Sequence, residues 1–167
     1  MKTWPAILAA LERDGVAALI SVVSVDGSAP REEGARIVLT RQGFHGTIGG
    51  GALEWRALAE AQARLDRGRS VVTKSYALGP ELGQCCGGRV KLLSEIFDRT
   101  QIENIRVLAE CEEQGPFSVH AMIFGDHVSR TPLSNSPPQG GRGPYLADGT
   151  NVQNLLNSPP PVRGRAR

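Results

Sequence analysis

Two clusters in this 167-residue chain have the residue types of a chemical site. The first is Leu78-Gly79-Pro80-Glu81-Leu82-Gly83-Gln84-Cys85-Cys86-Gly87-Gly88-Arg89, which lies between two apolar runs. The second is Gly49-Gly50-Gly51, at the start of an amphipathic segment. A thiolate at Cys85 or Cys86, near Arg89 and glycine amides, suits exchange or transfer chemistry. It also suits soft ligation of a late metal carried by a cofactor. The bland alternative is a buried structural cysteine, and Cys111, inside a helical pattern, takes that reading. A closed zinc site is not expected: there is no C-x-x-C, and His45, His120 and His127 are dispersed.

Glycines at a helix start leave N–H donors and the positive dipole end open to an anion such as a phosphate. Gly49-Gly50-Gly51 is not a Walker loop, since no Lys-Ser/Thr follows, and it lacks the G-x-G-x-x-G spacing. The plainer reading is a tight strand-to-helix turn. Glu54, in the first turn, complements the dipole or hydrogen-bonds a polar ligand. Ser28-Ala29-Pro30-Arg31 follows a long apolar run. Arg31 there is a candidate for pairing with an anion and Ser28 for donating to it, against a solvated turn as the alternative.

The elements that must position these residues are legible in outline. Thr3 to Asp14 reads as a helix with Thr3 as N-cap and Gly15 as stop. Val16 to Val25 is an uncharged, β-branched run, expected to be a central strand buried on both faces. Ala35 to Thr40 and Phe44 to Ile48 read as a hairpin about Arg41-Gln42-Gly43. Ala52 to Arg67 is the clearest helix, with Leu53, Ala57, Leu58, Ala61 and Leu65 as its apolar stripe and Glu60–Arg64 as an i,i+4 pair. Ser70 to Leu78 and Val90 to Phe97 read as strands around the cysteine loop. Thr100-Gln101-Ile102-Glu103 has capping-box spacing ahead of a helix to about Gln114. Phe117 to Phe124 alternates as a half-exposed edge strand.

Composition bounds the rest. The chain is 40% hydrophobic and 5% aromatic, with a net charge of +2, too weak a balance to argue for nucleic acid. No apolar run is long enough to span a membrane. The three cysteines are odd in number, two are adjacent, and no secretory leader is read. That pattern points to free thiols and a reducing, cytoplasmic setting. Of the 11 prolines, 7 lie after residue 128, together with 5 of the 20 glycines. There Leu133-Ser134-Asn135-Ser136-Pro137-Pro138 recurs imperfectly as Leu155-Leu156-Asn157-Ser158-Pro159-Pro160. The expectation is an α/β chain: a single domain over 1–128 with a mixed β-sheet and packed helices, then a disordered Pro/Gly-rich tail over 129–167.

Three blocks in this order and spacing resemble the first domain of the XdhC/CoxI family, the xanthine dehydrogenase accessory proteins. They are Gly27-Ser28-Ala29-Pro30-Arg31 with Gly34, then Gly46 through Glu54, then Leu78-Gly79 with Gly83 through Gly88. The resemblance covers roughly residues 1–125. It implies a cytoplasmic chaperone that binds the molybdenum cofactor (molybdopterin) while its terminal sulfur is installed, and delivers it to a molybdenum hydroxylase. The implied partners are that apo-enzyme and a cysteine desulfurase, with a homodimer as a further possibility. The role is that of an assembly factor rather than a catalyst. It implies a cofactor site from Ser28, Arg31, Gly49, Gly50, Gly51, Glu54, Gln84, Cys85, Cys86, Gly87 and Gly88, with Cys86 as the metal-facing thiol. The family's second, dinucleotide-binding-like domain has no counterpart after Phe124-Gly125-Asp126, so the chain reads as truncated. The competing readings are a thiol-dependent redox or sulfur-transfer enzyme using Cys85 and Cys86, and a remnant that binds nothing.

Overall fold

The computed structural model describes residues 2–80 and 87–133. The element order is α1 (Thr3–Asp14), β1 (Val16–Asp26), β2 (Arg36–Thr40), β3 (Gly43–Gly46), α2 (Gly51–Leu65), β4 (Ser70–Ala77), β5 (Arg89–Asp98), α3 (Ile102–Gln114), β6 (Ser118–Phe124) and β7 (His127–Leu133). The expected α/β class holds. Five strands form one sheet in the order β3-β2-β1-β5-β4, and β6 pairs with β7 in a separate two-stranded sheet. Every strand pairing is antiparallel; parallel geometry is confined to an isolated bridge between Ser28 and Gly87.

The uncharged run Val16–Val23 is the central strand because both of its faces are covered. Ala18, Ile20 and Val22 face α2, whose Leu53, Ala57, Leu58, Ala61 and Leu65 fill one core with them. Burying each of those leucines contributes roughly 1.5–3 kcal/mol. Ala17 and Leu19 face the other way, against Trp4, Ile7 and Leu11 of α1 and Ile105 and Leu108 of α3. Val23 and Leu93 carry the β6–β7 hairpin through Ala121 and Val128. The result is three layers, with helix α2 on one face of the sheet and α1, α3 and the hairpin on the other.

Several local expectations give way to long-range partners. The N-cap of α1 is Lys2, not Thr3, and it makes no side-chain cap bond. The Glu112 carboxylate on α3 accepts from the Thr3 and Trp4 amides instead, at 3.1 and 2.7 Å. The capping box before α3 sits two residues earlier than expected, between Asp98 and Gln101. Glu60 and Arg64 do not pair side chain to side chain. Glu60 takes Lys74 and Tyr76 from β4, and Arg64 donates to the Glu60 backbone carbonyl and to Ser70 and Ser94.

β7 runs to Leu133, five residues past the expected boundary at 128. Its Arg130 reaches Glu95 on β5 in a two-pronged ion pair of 2.6 and 2.8 Å. The two side chains are only 3% and 2% exposed. The Arg130 guanidinium also lies 4.9 Å from the Trp4 ring centre. Charges buried this deeply persist only when paired, so this contact fixes the hairpin to the sheet. The remainder of the expected tail, 134–167, lies outside the described residues.

Candidate functional site

The sheet order places the motif segments together. In an antiparallel order β3-β2-β1-β5-β4, the β1–β2, β3–α2 and β4–β5 connections all emerge from the same end. Those connections carry Gly27–Arg31, Thr47–Gly50 and Leu78–Gly88. Before its end β1 takes a bulge: Val22 pairs with Leu92 but Ser24 pairs with Lys91, leaving Val23 as the extra residue. A bulge bends a strand and increases its twist, which here redirects the last residues of β1 toward the loops.

Close backbone contacts then join the segments. The Leu78 amide donates to the Gly88 carbonyl at 2.8 Å, and the Gly87 amide donates to the Leu78 carbonyl at 2.9 Å. These bonds hold Leu78 beside Gly87 and Gly88. Gly88 packs against the β1–β2 loop so tightly that a Cβ on it would lie 2.1 Å from the Ser28 carbonyl oxygen. On the other side of the same loop, a Cβ on Gly49 would lie 2.7 Å from the Pro30 side chain. The segment Gly27–Arg31 is therefore held between the two glycine clusters. Its own far end is tied by the Glu33 carboxylate, which accepts from the Val25 amide at 3.1 Å.

Gly49, Gly50 and Gly51 have successive φ values of 126°, 74° and 65°, a run that only glycine adopts without strain. Glu54 determines what this turn offers. Its Oε2 accepts from Thr47 Oγ1 at 2.6 Å, the Ile48 amide at 3.0 Å and the Gly50 amide at 3.1 Å. The Gly49 amide is taken by Thr47 Oγ1 at 3.1 Å. This corrects the sequence-based picture of an open N–H nest. The donors of Gly49 and Gly50 are already used, and Glu54 is the residue that uses the second. No residue-spacing rule pairs Thr47 with Glu54 or Val25 with Glu33; the turn brings each pair together.

Of the expected site residues, the structure brings Ser28, Arg31, Gly49, Gly50, Gly51, Glu54, Gly87 and Gly88 to one end of the sheet. Ser28 and Arg31 are exposed there. The face of Gly50 is open, with no atom within 4 Å of where its Cβ would be. Gln84, Cys85 and Cys86 lie outside the described residues. Cys111 is a free thiol packed against the α1–α3 core. His45 and His120 are exposed on β3 and β6. Among the described residues no group of three or more His, Cys, Asp and Glu side chains is placed to hold a metal ion. No described helix is long and apolar enough to cross a membrane.

The fold and the meeting segments define a three-layer α/β domain whose motif residues gather at one end of its central sheet. Residues 10–77 match the family model described as the XdhC and CoxI family, so the resemblance read from the motifs holds over that segment. The fold is similar to a crystal structure of a xanthine dehydrogenase from Bacillus halodurans, with a TM-score of 0.64 and 22% sequence identity. That likeness covers 80% of this chain and 42% of the other, so this chain spans under half of the protein it matches. No curated protein matches the chain closely enough to count as a relative.

Proposed function

We propose that this domain is an accessory protein in the maturation of a molybdenum hydroxylase of the xanthine dehydrogenase type, and that it does so by binding the molybdenum cofactor. The observation that carries the reading is the clamping of Gly27–Arg31 between Gly49 and Gly88. It brings described residues of the three motif segments of the XdhC and CoxI resemblance together at one end of the sheet, two of the segments lying within the matched residues. The family match and the shared fold support the same reading.

The residues present fit the cofactor in part. Arg31 and Ser28, exposed at this end of the sheet, suit its phosphate, and the open face of Gly50 suits a planar group laid against backbone. The Gly49 and Gly50 amides are spent internally, so the anion falls to Arg31 and the later amides of α2. Glu54 holds the loop in shape. Gly87 and Gly88, which follow Gln84, Cys85 and Cys86 directly in the chain, are held against Ser28. When bound, the cofactor supplies a soft, sulfur-ligated metal, for which a Cys86 thiolate is a matched ligand. The partners on this reading are the apo-hydroxylase and a cysteine desulfurase, in the cytoplasm, with self-association as a further contact.

The test is to purify the full chain from cells that make the cofactor, and to measure bound molybdenum and pterin. The expected result is retention of both by the wild type and loss of both in Cys86→Ala, with the far-ultraviolet circular dichroism unchanged. Absence of bound pterin in the wild type, or full retention in Cys86→Ala and Arg31→Ala alike, overturns the proposal.

A further inference from the structure

The molecule has a second candidate site, lined by none of the motif residues. A cavity of about 340 Å³ lies between the C-terminal half of α2 and strands β1, β5 and β4. That volume is within the usual range for small-molecule pockets. Its apolar lining includes Ile20, Ala57, Val72 and Leu92, and its charged lining is Arg64, Arg67, Lys74 and Glu60. From Gly51 to Arg64 along α2 is roughly 20 Å, so the basic end of the cavity lies well away from the glycine turn.

The charges do not cancel. Glu60 is already engaged by Lys74 at 2.6 Å, by Tyr76 at 3.0 Å and by Arg56 at 3.5 Å. Among the described residues Arg64 makes hydrogen bonds to neutral acceptors alone: the Glu60 and Ser94 carbonyls and the Ser70 and Ser94 hydroxyls. Burial pulls the Arg64 guanidinium below its ordinary range, and the nearby Glu60 charge pushes the other way. Arg67 is exposed at the mouth. The helix dipole accounts for a basic residue in the last turn of α2. It does not account for a half-buried guanidinium facing an apolar-floored cavity without a carboxylate on its fork.

We propose that this cavity binds a small organic anion, with its carboxylate or phosphate head at Arg64 and Arg67 and its apolar body against Val72, Leu92 and Ile20. The Ser94 hydroxyl, which lines the cavity, accepts from Arg64 and keeps its own O–H to donate to the same head. Lys74 and Tyr76 close the β4 side. The reading rests only on the cavity, and it stands or falls separately from cofactor binding.

The test uses the full chain with benzoate and phenyl phosphate as probes, benzyl alcohol as the neutral control, and backbone amide NMR as the readout. The expected result is a saturable shift at Val72, Leu92 and Ser94 with an anion at millimolar concentration, and none with benzyl alcohol. Preference for benzoate or for phenyl phosphate assigns the head group. A hydrogen bond to a charged group sets the scale, so Arg64→Gln and Arg67→Gln are each expected to weaken binding about tenfold or more. Because Arg64 also ties α2 to the sheet, Arg67→Gln and the cavity-filling Ala63→Leu carry the test if Arg64→Gln does not fold. The proposal is overturned by no saturable shift with either anion, by shifts confined to 49–51, by an equal response to benzyl alcohol, or by unchanged affinity in Arg67→Gln and Ala63→Leu.

Discussion

Gly88 and Ser28 are packed backbone to backbone: a Cβ on Gly88 would stand 2.1 Å from the Ser28 carbonyl oxygen and 2.8 Å from its carbonyl carbon. The contact cannot be relieved by a side-chain rotation, because both Ser28 atoms are main chain. It couples Gly88, immediately before β5, to the loop after β1. The resulting geometry makes Gly88 a point where a single methyl group separates the two.

Gly88→Ala is therefore expected to lower stability by roughly 1–3 kcal/mol, the range for forcing extra volume into a packed region. Gly79→Ala, in the same loop, has no atom within 4 Å of its Cβ position and no positive φ. It is expected to stay within about 0.5 kcal/mol of wild type. Urea unfolding of the two variants side by side checks the contrast. Equal stability of the two would show that the loops are not in contact.

Glu54→Ala removes one acceptor from three donors at once, namely Thr47 Oγ1 and the Ile48 and Gly50 amides. Leaving partly buried donors unpaired costs about 1–3 kcal/mol. The loss is expected to be local before it is global. Hydrogen exchange at Ile48 and Gly50 should accelerate by about tenfold or more, while β1 amides at Leu19 and Ile20 keep their protection. Unchanged exchange at Gly50 would contradict the clamp.

The buried pair Glu95–Arg130 predicts non-additivity. Arg130→Met alone leaves the Glu95 carboxylate buried without its partner and is expected to cost about 3–5 kcal/mol. Adding Glu95→Leu removes that uncompensated charge, so the double variant is expected to recover most of the loss. A double-mutant cycle by chemical denaturation measures it. A double variant as unstable as the sum of the singles would mean that the pair is not coupled.

Tyr76 gives a pH signature. Burial first, and then the hydrogen bond to Glu60, push its phenol from 10.0 up to about 12. A raised folded pKa means that the neutral form stabilises the fold. That contribution is fully present below pH 10.0 and is lost as pH rises through about 12. Glu60 runs in the opposite sense. Burial opposes its charge, but the bonds from Lys74 and Tyr76 outweigh it and lower its pKa, so its contribution is lost as pH falls below the usual carboxylate value. Tyrosinate absorbance should show a late-titrating phase that disappears in Tyr76→Phe. A single ordinary phase in the wild type would rule out the Tyr76–Glu60 bond.

Much of the framework follows from sequence alone. An uncharged β-branched run such as Val16–Val23 is stable only where both faces are covered, so its central place in the sheet was legible. The Leu53–Leu65 stripe and the glycine stop at Gly15 are equally local. Tertiary structure decided where polar side chains went. Glu112 caps α1 from α3, 109 residues away from Thr3, in place of the expected Thr3 cap. Glu60 takes partners on β4 rather than Arg64, and Arg130 finds Glu95 across 35 residues. The apolar pattern repeats with the period of its own helix or strand, whereas a charged group takes whichever partner packing brings within about 3 Å. For the same reason the sequence marked the three glycine-bearing segments separately, and the antiparallel strand order placed Gly49, Ser28 and Gly88 at one end of the sheet.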